Sequence, residues 1–297
     1  MANRLFYGKI LLFGEYSILA GSDAAIIPYR SVKARLGFFR ECRQPDIMLQ
    51  AFHDYLEQDV LCREYVDLQR FQHDIDEGVS LKSDIPMNMG LGSSGAICAA
   101  VYSHYGIKEI NGTSRLTALF SNMESWFHGK SSGIDPLCIY LDKPLIRRKL
   151  EFSAITDDTA LRNNRLRPFL INTGNESLTK PLVDHFRDQM ENTEFASGFI
   201  QDYVPLVNAA VDEWSNGSLS ENTLLTLSER QLTLFERMIP ADFRKIWQEG
   251  LALKTFDLKL CGSGGGGMLL GFAEDIEKVK STLFEKQGIV IHTDVFR

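Results

Sequence analysis

The sequence has 297 residues, 44% of them hydrophobic, which is enough apolar material for one large domain or two ordinary ones. Its 32 Lys and Arg residues are outnumbered by 39 Asp and Glu residues, and the net charge of −7 gives no basic surface for nucleic acid or an anionic membrane, so a small-molecule partner is favoured. The five cysteines are widely spaced and form no Cys-x-x-Cys pair, so they indicate neither a disulfide framework nor a zinc site and fit a reducing cytoplasm.

Short apolar runs at residues 10–13, 24–27 and 32–39 predict three β-strands at the start of the chain. The first run is bracketed by Lys9 and Glu15, which is unlike a signal peptide. No apolar stretch approaches the ~20 residues that cross a bilayer. We therefore expect a β-rich beginning and no membrane partner.

The first chemically suggestive segment is YGKILLFGEYSILAG, residues 7–21. Lys9 opens its apolar strand, and Gly14 and Glu15 close it. A lysine in this position either extends its amine to solvent or belongs to a site. The other segments decide between these two interpretations.

The second segment is PMNMGLGSSGA, residues 86–96, in which Gly90, Gly92 and Gly95 surround Ser93 and Ser94 at the entrance to a predicted helix. Glycines let backbone amides approach an anion, and a helix N-terminus adds unpaired N–H groups. The pattern predicts a phosphate cradle with hydroxyls for phosphate or Mg²⁺, although a simple turn with a serine cap stays open. It matches neither the P-loop nor the Rossmann motif.

The third segment is HGKSSGIDP, residues 128–136, which follows a predicted helix with one apolar stripe. Glu124 lies beside that stripe, so we expect it to be half-buried and either paired or bound to a metal. Asp135 precedes Pro136, which favours an extended backbone, and follows Gly133. It is either a placed acid or an ordinary turn aspartate.

The polar stretch at residues 156–168 predicts a domain boundary, giving domains 1–160 and 161–297. Beyond it we expect a strand at 169–172, long amphipathic helices and a final strand, strand, helix, strand order. Between the first two of these last strands lies GSGGGG, residues 262–267. Such a run loses much backbone entropy on ordering, which favours close approach of a ligand over a loose hairpin turn.

In chain order, GKILLFGEYSILAG, PMNMGLGSSGA and LKLCGSGGGGMLLGF resemble the three motifs of the GHMP kinase superfamily, the galactokinases, homoserine kinases, mevalonate kinases and phosphomevalonate kinases. The resemblance implies an α+β fold with an N-terminal domain that contains a left-handed β-α-β unit, a C-terminal ferredoxin-like domain, and ATP and substrate in the cleft between them. Within the superfamily, ESWFHGKSSGID and SLTKPLV are most similar to mevalonate kinases.

Carried over by position, the resemblance implies a catalytic role for Asp135 and for Lys9, which would lie beside the acceptor hydroxyl, and Mg²⁺ ligation by Ser94 and Glu124. The residues implied for ATP are Gly90, Leu91, Gly92, Ser93, Ser94, Gly95, Gly264 and Gly265. The residues implied for the substrate are Lys9, Glu15, Tyr16, Asp135, Thr179 and Gly264.

The expected reaction is ATP-dependent phosphorylation of mevalonate to 5-phosphomevalonate in a cytoplasmic enzyme. One departure leaves the acceptor open, because Gly-Glu-Tyr at residues 14–16 replaces the usual Gly-Glu-His of mevalonate kinases and is common in phosphomevalonate kinases. Diphosphomevalonate decarboxylase and sugar kinases are further alternatives. A catalytically silent ATP-binding module is the non-enzyme alternative, against which Lys9, Glu124 and Asp135 argue together. The number of subunits stays open, a homodimer included.

Overall fold

The structure, a computed structural model, describes residues 4–39, 46–108, 110, 112–149, 151–177, 179–285 and 289–296. Cys42 therefore lies outside the described residues. The chain divides into two compact units. The first unit comprises residues 1–9, 28–86 and 92–143, and the second comprises residues 10–27, 87–91 and 144–297. The expected domain limits, 1–160 and 161–297, are contiguous and stay a prediction.

The first sheet has five strands in the order β1-β2-β4-β5, with β3 also paired to β2. Its strands are β1 (Phe6–Phe13), β2 (Ala24–Phe38), β3 (Val79–Ser83), β4 (Leu145–Arg148) and β5 (Glu151–Ala154). Both β1 and β2 run from one unit into the other along the chain.

Residues 24–38 form one strand of 15 residues rather than the two that the sequence predicts. β2 pairs with β4 through residues 24–26 and with β3 through residues 34–38, both antiparallel. Pro28 lies in β2 between the residues that pair with β4 and those that pair with β3. Its missing N–H therefore costs no ladder hydrogen bond to either of them, and the strand continues through it.

The helices of the first unit lie between β2 and the end of the unit. They are α1 (Ile47–Leu56), α2 (Val60–Tyr65), α3 (Leu68–Asp76), α4 (Ser93–Tyr105), α5 (Thr113–His128) and α6 (Ile134–Leu141). Nearly every residue of α4 is buried, as its small apolar sequence predicts. α5 ends at His128, with Gly129 as its C-cap. Of the four residues in the predicted apolar stripe, Leu116, Phe120 and Met123 are buried and Phe127 is half-buried.

The second sheet lies within the second unit and has the order β7-β8-β6-β9, with all neighbours antiparallel. Its strands are β6 (Arg167–Asn172), β7 (Asp257–Leu260), β8 (Met268–Ala273) and β9 (Ile291–His292). Helices follow β6 and β8, so the order is strand, helices, strand, strand, helix, strand, which is the ferredoxin-like arrangement.

The remaining helices also belong to the second unit. They are α7 (Thr159–Arg162), α8 (Thr179–Met190), α9 (Thr193–Gly198), α10 (Val204–Ser215), α11 (Glu221–Leu234), α12 (Ala241–Leu253) and α13 (Ile276–Lys280). The expected α+β class and the predicted C-terminal order are confirmed. In the described part of the chain, no helix is both long and apolar enough to cross a membrane.

Candidate active site

The candidate residues fall into two sets, one in each unit. Lys9, Gly92, Ser93, Ser94, Gly95, Glu124 and Asp135 belong to the first unit. Glu15, Tyr16, Gly90, Leu91, Gly264 and Gly265 belong to the second, as does Thr179, whose side chain lies outside the described part of the structure.

The centre of the first set is an ion pair between Lys9 and Asp135. The distance from Lys9 Nζ to Asp135 Oδ2 is 2.7 Å, and the side chains are 5% and 27% exposed. Lys9 lies on β1 and is almost wholly buried, so it does not extend its amine to solvent. Holding an ammonium in this position requires a counter-charge, which Asp135 supplies.

Close packing between α4 and α6 brings Asp135 to this position. A Cβ on Gly95 would lie 2.9 Å from Pro136 N and 3.1 Å from Asp135 C, closer than side chains normally approach backbone. A Cβ on Gly92 would lie 2.8 Å from Lys9 Cγ. Two glycines of the second motif are therefore required by the packing around the ion pair.

Asp135 lies in the first turn of α6, and the extended backbone predicted from Pro136 is wrong. Gly133 takes a left-handed conformation at the N-cap and starts the helix just before Asp135. Pro136 is the third helical residue, where the N–H that proline lacks would have had no intrahelical acceptor. The turn also needs glycine, because a Cβ on Gly133 would lie 2.3 Å from Thr117 O.

Glu124 on α5 is 3% exposed, more deeply buried than the sequence suggested. Ser94 Oγ donates to its Oε1 at 3.0 Å, and Ser131 Oγ donates to its Oε2. Burial, followed by the nearby charge of Asp135, raises the pKa of Glu124 to about 7, against the opposing effects of Ser131, Ser94 and Lys9. A buried carboxylate held between two hydroxyls beside a second carboxylate is suited to receive a cation.

The N-terminus of α4 is not capped by any side chain in the described part of the chain. Its N-cap is Gly92, in a left-handed conformation, and no side-chain cap hydrogen bond forms there among the described residues. Ser93 is the first helical residue, so it is not the serine cap that the alternative interpretation proposed. The first-turn N–H groups and the positive end of the helix dipole are the groups that bind anions.

In the second set, Glu15 is buried against Lys259 on β7. Lys259 Nζ lies 2.5 Å from Glu15 Oε1 and donates to Leu260 O at 2.6 Å. Both side chains are at most 2% exposed. The pair ties the end of the first motif to the strand that leads into residues 262–267.

Residues 262–267, called the glycine loop below, are packed tightly against protein backbone. A Cβ would lie 2.5 Å from Met238 O at Gly264, 2.5 Å from Glu176 O at Gly266 and 2.9 Å from Met89 O at Gly267. A Cβ on Gly90, in the second motif, would likewise lie only 2.7 Å from Cys261 O. Close backbone packing thus accounts for much of the glycine content that the sequence analysis attributed to a ligand.

Tyr16 is also buried rather than open to a site. Its ring packs against Phe186 and Phe235, with centroids 4.8 and 5.0 Å apart, and its hydroxyl donates to Ser263 O at 2.6 Å. Leu91 is 1% exposed over the whole residue.

Sequence reasoning missed three residues that contact the predicted ones: Ser131, Ser177 and Lys259. Ser131 was part of a motif, but nothing in its spacing pointed to Glu124. Lys259 lies on β7, where three of the four residues, Lys259 included, are buried. Ser177 hydrogen-bonds Gly264 O at 2.5 Å from a loop 87 positions away in sequence.

No group of three or more His, Cys, Asp or Glu side chains within the described residues could hold a metal ion. Ser94 and Glu124 nevertheless offer hard oxygen atoms close together. Such a pair suits Mg²⁺, which usually takes few protein ligands and completes its shell with phosphates and water.

Comparisons with known proteins agree on one family. Residues 55–142 match the family model described as the GHMP kinases N terminal domain. A curated mevalonate kinase of Archaeoglobus fulgidus is 24% identical over 299 residues, covering 96% of this chain and 97% of that protein.

Two solved structures have the same fold over nearly the whole chain. A mevalonate kinase of L. major in complex with R-mevalonate has a TM-score of 0.64 at 19% identity, covering 99% of this chain and 96% of that one. A Streptococcus pneumoniae phosphomevalonate kinase, in complex with phosphomevalonate and AMPPNP, has a TM-score of 0.65 at 16% identity and covers 98% of each chain. The chain thus contains a GHMP kinase N-terminal domain and shares the fold of the GHMP kinases over almost its whole length.

Proposed function

We propose that this chain is an ATP-dependent kinase that transfers the γ-phosphoryl group of ATP to the 5-hydroxyl of mevalonate. The observation that carries the proposal is the Lys9–Asp135 pair, 2.7 Å long and formed in the same unit as the Ser94–Glu124 pair and the uncapped N-terminus of α4. The curated relative that aligns with 96% of this chain is named mevalonate kinase, and that name supports mevalonate as the acceptor.

In this reaction Asp135 orients the acceptor hydroxyl and accepts its proton, while the hydroxyl oxygen forms a bond to the γ-phosphorus and the bond to the ADP oxygen breaks. Lys9 pairs with Asp135 and stabilises the negative charge that develops on the attacking oxygen. Phosphoryl transfer depends chiefly on positioning and charge stabilisation. A buried ammonium held by a partly exposed carboxylate meets both needs.

Ser94 and Glu124 are the residues that would hold magnesium. When bound, the ion neutralises phosphate charge and orients the phosphoryl group. Ser131 fixes the second oxygen of Glu124 and so limits its rotation. The N–H groups at the start of α4, from Gly92 to Gly95, would bind phosphate oxygens, and Gly90, Leu91, Gly264 and Gly265 stay proposed ATP residues through their backbone.

A cytoplasmic location and small-molecule partners, without nucleic acid or membrane, are parts of the same proposal. The four described cysteines, Cys62, Cys98, Cys138 and Cys261, are buried and free of disulfides, which suits a reducing compartment.

Phosphomevalonate kinase is the second candidate, because Gly-Glu-Tyr at residues 14–16 resembles that group. The tyrosine gives this candidate less support, because the buried hydroxyl of Tyr16 donates to Ser263 O. The tyrosine at position 16 is therefore explained by packing inside the second unit and does not indicate which acceptor is used.

The test is a coupled assay of ADP release with purified chain, MgATP and one of four acceptors: mevalonate, phosphomevalonate, galactose or homoserine. We expect saturable turnover with mevalonate and only background rates with the others. Turnover with phosphomevalonate alone would transfer the proposal to the second candidate. Binding of ATP without turnover on any acceptor would favour the silent module.

A further inference from the structure

We infer that Ser131 is a positioning residue for the proposed reaction. Its hydroxyl holds the Glu124 carboxylate in place for a metal ion and ties that carboxylate to the turn that places Asp135. The inference rests on the proposed function in one respect, namely that Glu124 is a ligand of the magnesium that accompanies ATP. No contact of Ser131 with the metal or the substrate is part of it.

Each oxygen of the Glu124 carboxylate accepts a hydrogen bond from a different serine. Ser94 Oγ donates to Oε1 at 3.0 Å, and Ser131 Oγ donates to Oε2. Ser94 is itself a proposed metal ligand, so the orientation of its hydroxyl depends on the ion. The bond from Ser131 does not depend on the ion, and it restricts a terminal carboxylate torsion that is otherwise broad.

The backbone of Ser131 is held by the same helix that carries Glu124. Ser121 Oγ donates to Ser131 O at 2.6 Å. Ser121 and Glu124 are three residues apart in α5, so they are neighbours on one face of that helix. The helix that presents the carboxylate therefore also fixes the residue that orients it.

The hydroxyl of Ser131 also accepts a hydrogen bond, from Gly133 N–H at 3.0 Å. Gly133 is the N-cap of α6, and Asp135 lies in the first turn of that helix. A hydroxyl donates one hydrogen bond and accepts up to two, so one side chain can bind Glu124 and Gly133 together. Ser131 thus links the proposed metal ligand to the start of the helix that carries the proposed base. Phosphoryl transfer needs such a link because it depends on the relative placement of its groups.

The first experiment separates an effect on the metal from an effect on folding. Affinity for ATP is measured by calorimetry without acceptor, once with excess Mg²⁺ and once with EDTA, and the ratio of the two affinities is the magnesium-dependent gain. We expect Ser131→Ala to reduce this gain about tenfold, because the carboxylate is no longer held toward the ion, and to leave the affinity in EDTA unchanged. A merely structural role would lower both affinities together. Ser131→Thr keeps a hydroxyl and should retain the full gain.

Ser125→Ala is the matched control. Ser125 follows Glu124 on α5, and its hydroxyl donates to Ser121 O at 2.7 Å, so this variant loses a serine hydrogen bond but none to the carboxylate. We expect it to keep the magnesium-dependent gain of the unchanged chain. Equal losses in Ser125→Ala and Ser131→Ala would overturn the inference, and so would a full gain in Ser131→Ala. Either result would leave the proposed function intact.

A double-mutant cycle tests whether Ser131 acts through Glu124. Glu124→Gln should lower the gain by itself, and adding Ser131→Ala should lower it no further. Additive losses would show that Ser131 acts elsewhere and would refute the positioning role. An unchanged gain in Glu124→Gln, or failure of the unchanged chain to bind MgATP, would instead remove the proposed metal ligand and with it this inference.

A second variant, Ser121→Ala, covers the case in which Ser131→Ala does not fold. It removes the hydrogen bond to the Ser131 carbonyl, so Ser131 is then held by its hydroxyl alone. We expect the magnesium-dependent gain to fall about threefold, which is less than one neutral hydrogen bond contributes at most. An unchanged gain in folded Ser121→Ala would show that a fixed position of Ser131 is not needed and would overturn the inference.

Discussion

At the residue scale, the proposed chemistry depends on the negative charge of Asp135. We expect Asp135→Asn to lower kcat by at least ~100-fold, the scale of a positioned acid or base, because Asn keeps the shape but loses the proton acceptor. MgATP binding should change little. Steady-state kinetics at saturating substrates and calorimetry of ATP binding measure the two effects.

Asp142→Asn provides a matched control, since Asp142 follows the same helix, α6, and pairs with Arg30 on the surface at 3.0 Å. It should retain near-normal kcat. If Asp135→Asn also turns over at the normal rate, Asp135 is a helix-start residue and not the base.

A second carboxyl, Asp257 on β7, gives a pH-dependent prediction. Burial raises its pKa to about 6, and the charges of Glu221 and Glu229 add to the shift. The folded protein thus binds the Asp257 proton more tightly than the unfolded chain does. The stabilisation that this bound proton gives the fold is full below about pH 4 and is lost as the pH rises through about 6. Asp257→Asn should leave stability at pH 4 nearly unchanged and raise it at pH 8 by about 1–2 kcal/mol, after allowance for partial exposure.

Urea unfolding at both pH values measures this difference. Asp188→Asn, at an exposed position on α8, should show no such pH dependence. A stability curve for Asp257→Asn parallel to that of the unchanged chain would mean that the folded structure does not perturb this carboxyl.

At the scale of the element, the close approach of α4 and α6 needs a glycine at position 95. We expect Gly95→Ala to lower the free energy of unfolding by about 1–3 kcal/mol, because its Cβ would meet the backbone of Asp135 and Pro136 and force the helices apart. It should also lower kcat, since Asp135 moves with α6. Urea unfolding and steady-state kinetics report the two losses.

Gly198 at the end of α9 is the matched control, because a Cβ there meets nothing within 4 Å. Gly198→Ala should be neutral or raise stability by up to about 1 kcal/mol, as alanine restricts the unfolded chain. Similar effects at the two positions would show that helix propensity, and not contact with α6, determines the result.

The elements that sequence reasoning predicted well are those with strong local patterns. The apolar run of β1, the stripe and terminal glycine of α5, and the final strand order are all confirmed. The incorrect predictions concern features that depend on partners distant in sequence. β2 continues through Pro28 because its partners change there, and Asp135 is helical because Gly133 fits against α5.

The candidate site follows the same rule. Motif spacing identified Lys9, Ser94, Glu124 and Asp135 as candidate site residues. In the structure, Lys9 pairs with Asp135 and Ser94 with Glu124. The hydroxyls that hold the backbone and carboxylates in place, such as Ser131 and Ser177, carry no local signal because serine is common in loops.

At the scale of the whole molecule, the second unit is completed by an early segment of the chain. Residues 10–27 belong to it although the rest of the unit lies mostly beyond residue 143. Phe13 stacks on Phe272 with centroids 5.9 Å apart, and Asp23 N–H donates to Asn208 Oδ1 at 2.8 Å. The same segment supplies Glu15, the counter-charge for Lys259.

This organisation predicts that residues 161–297, the contiguous C-terminal domain expected from sequence, will not fold cooperatively alone. Without residues 10–27, Lys259 would be buried with no carboxylate, at a cost of several kcal/mol, and Phe272 and Phe235 would lose the aromatic rings of Phe13 and Tyr16. Domains hold only about 5–15 kcal/mol of stability, so these losses are enough to prevent folding. Urea unfolding of the fragment, followed by near-UV circular dichroism, should give a broad transition with little aromatic signal, where the full chain gives a sharp one. A sharp transition with a strong aromatic spectrum would instead show that residues 161–297 form a self-sufficient domain and that the early segment only attaches to its surface.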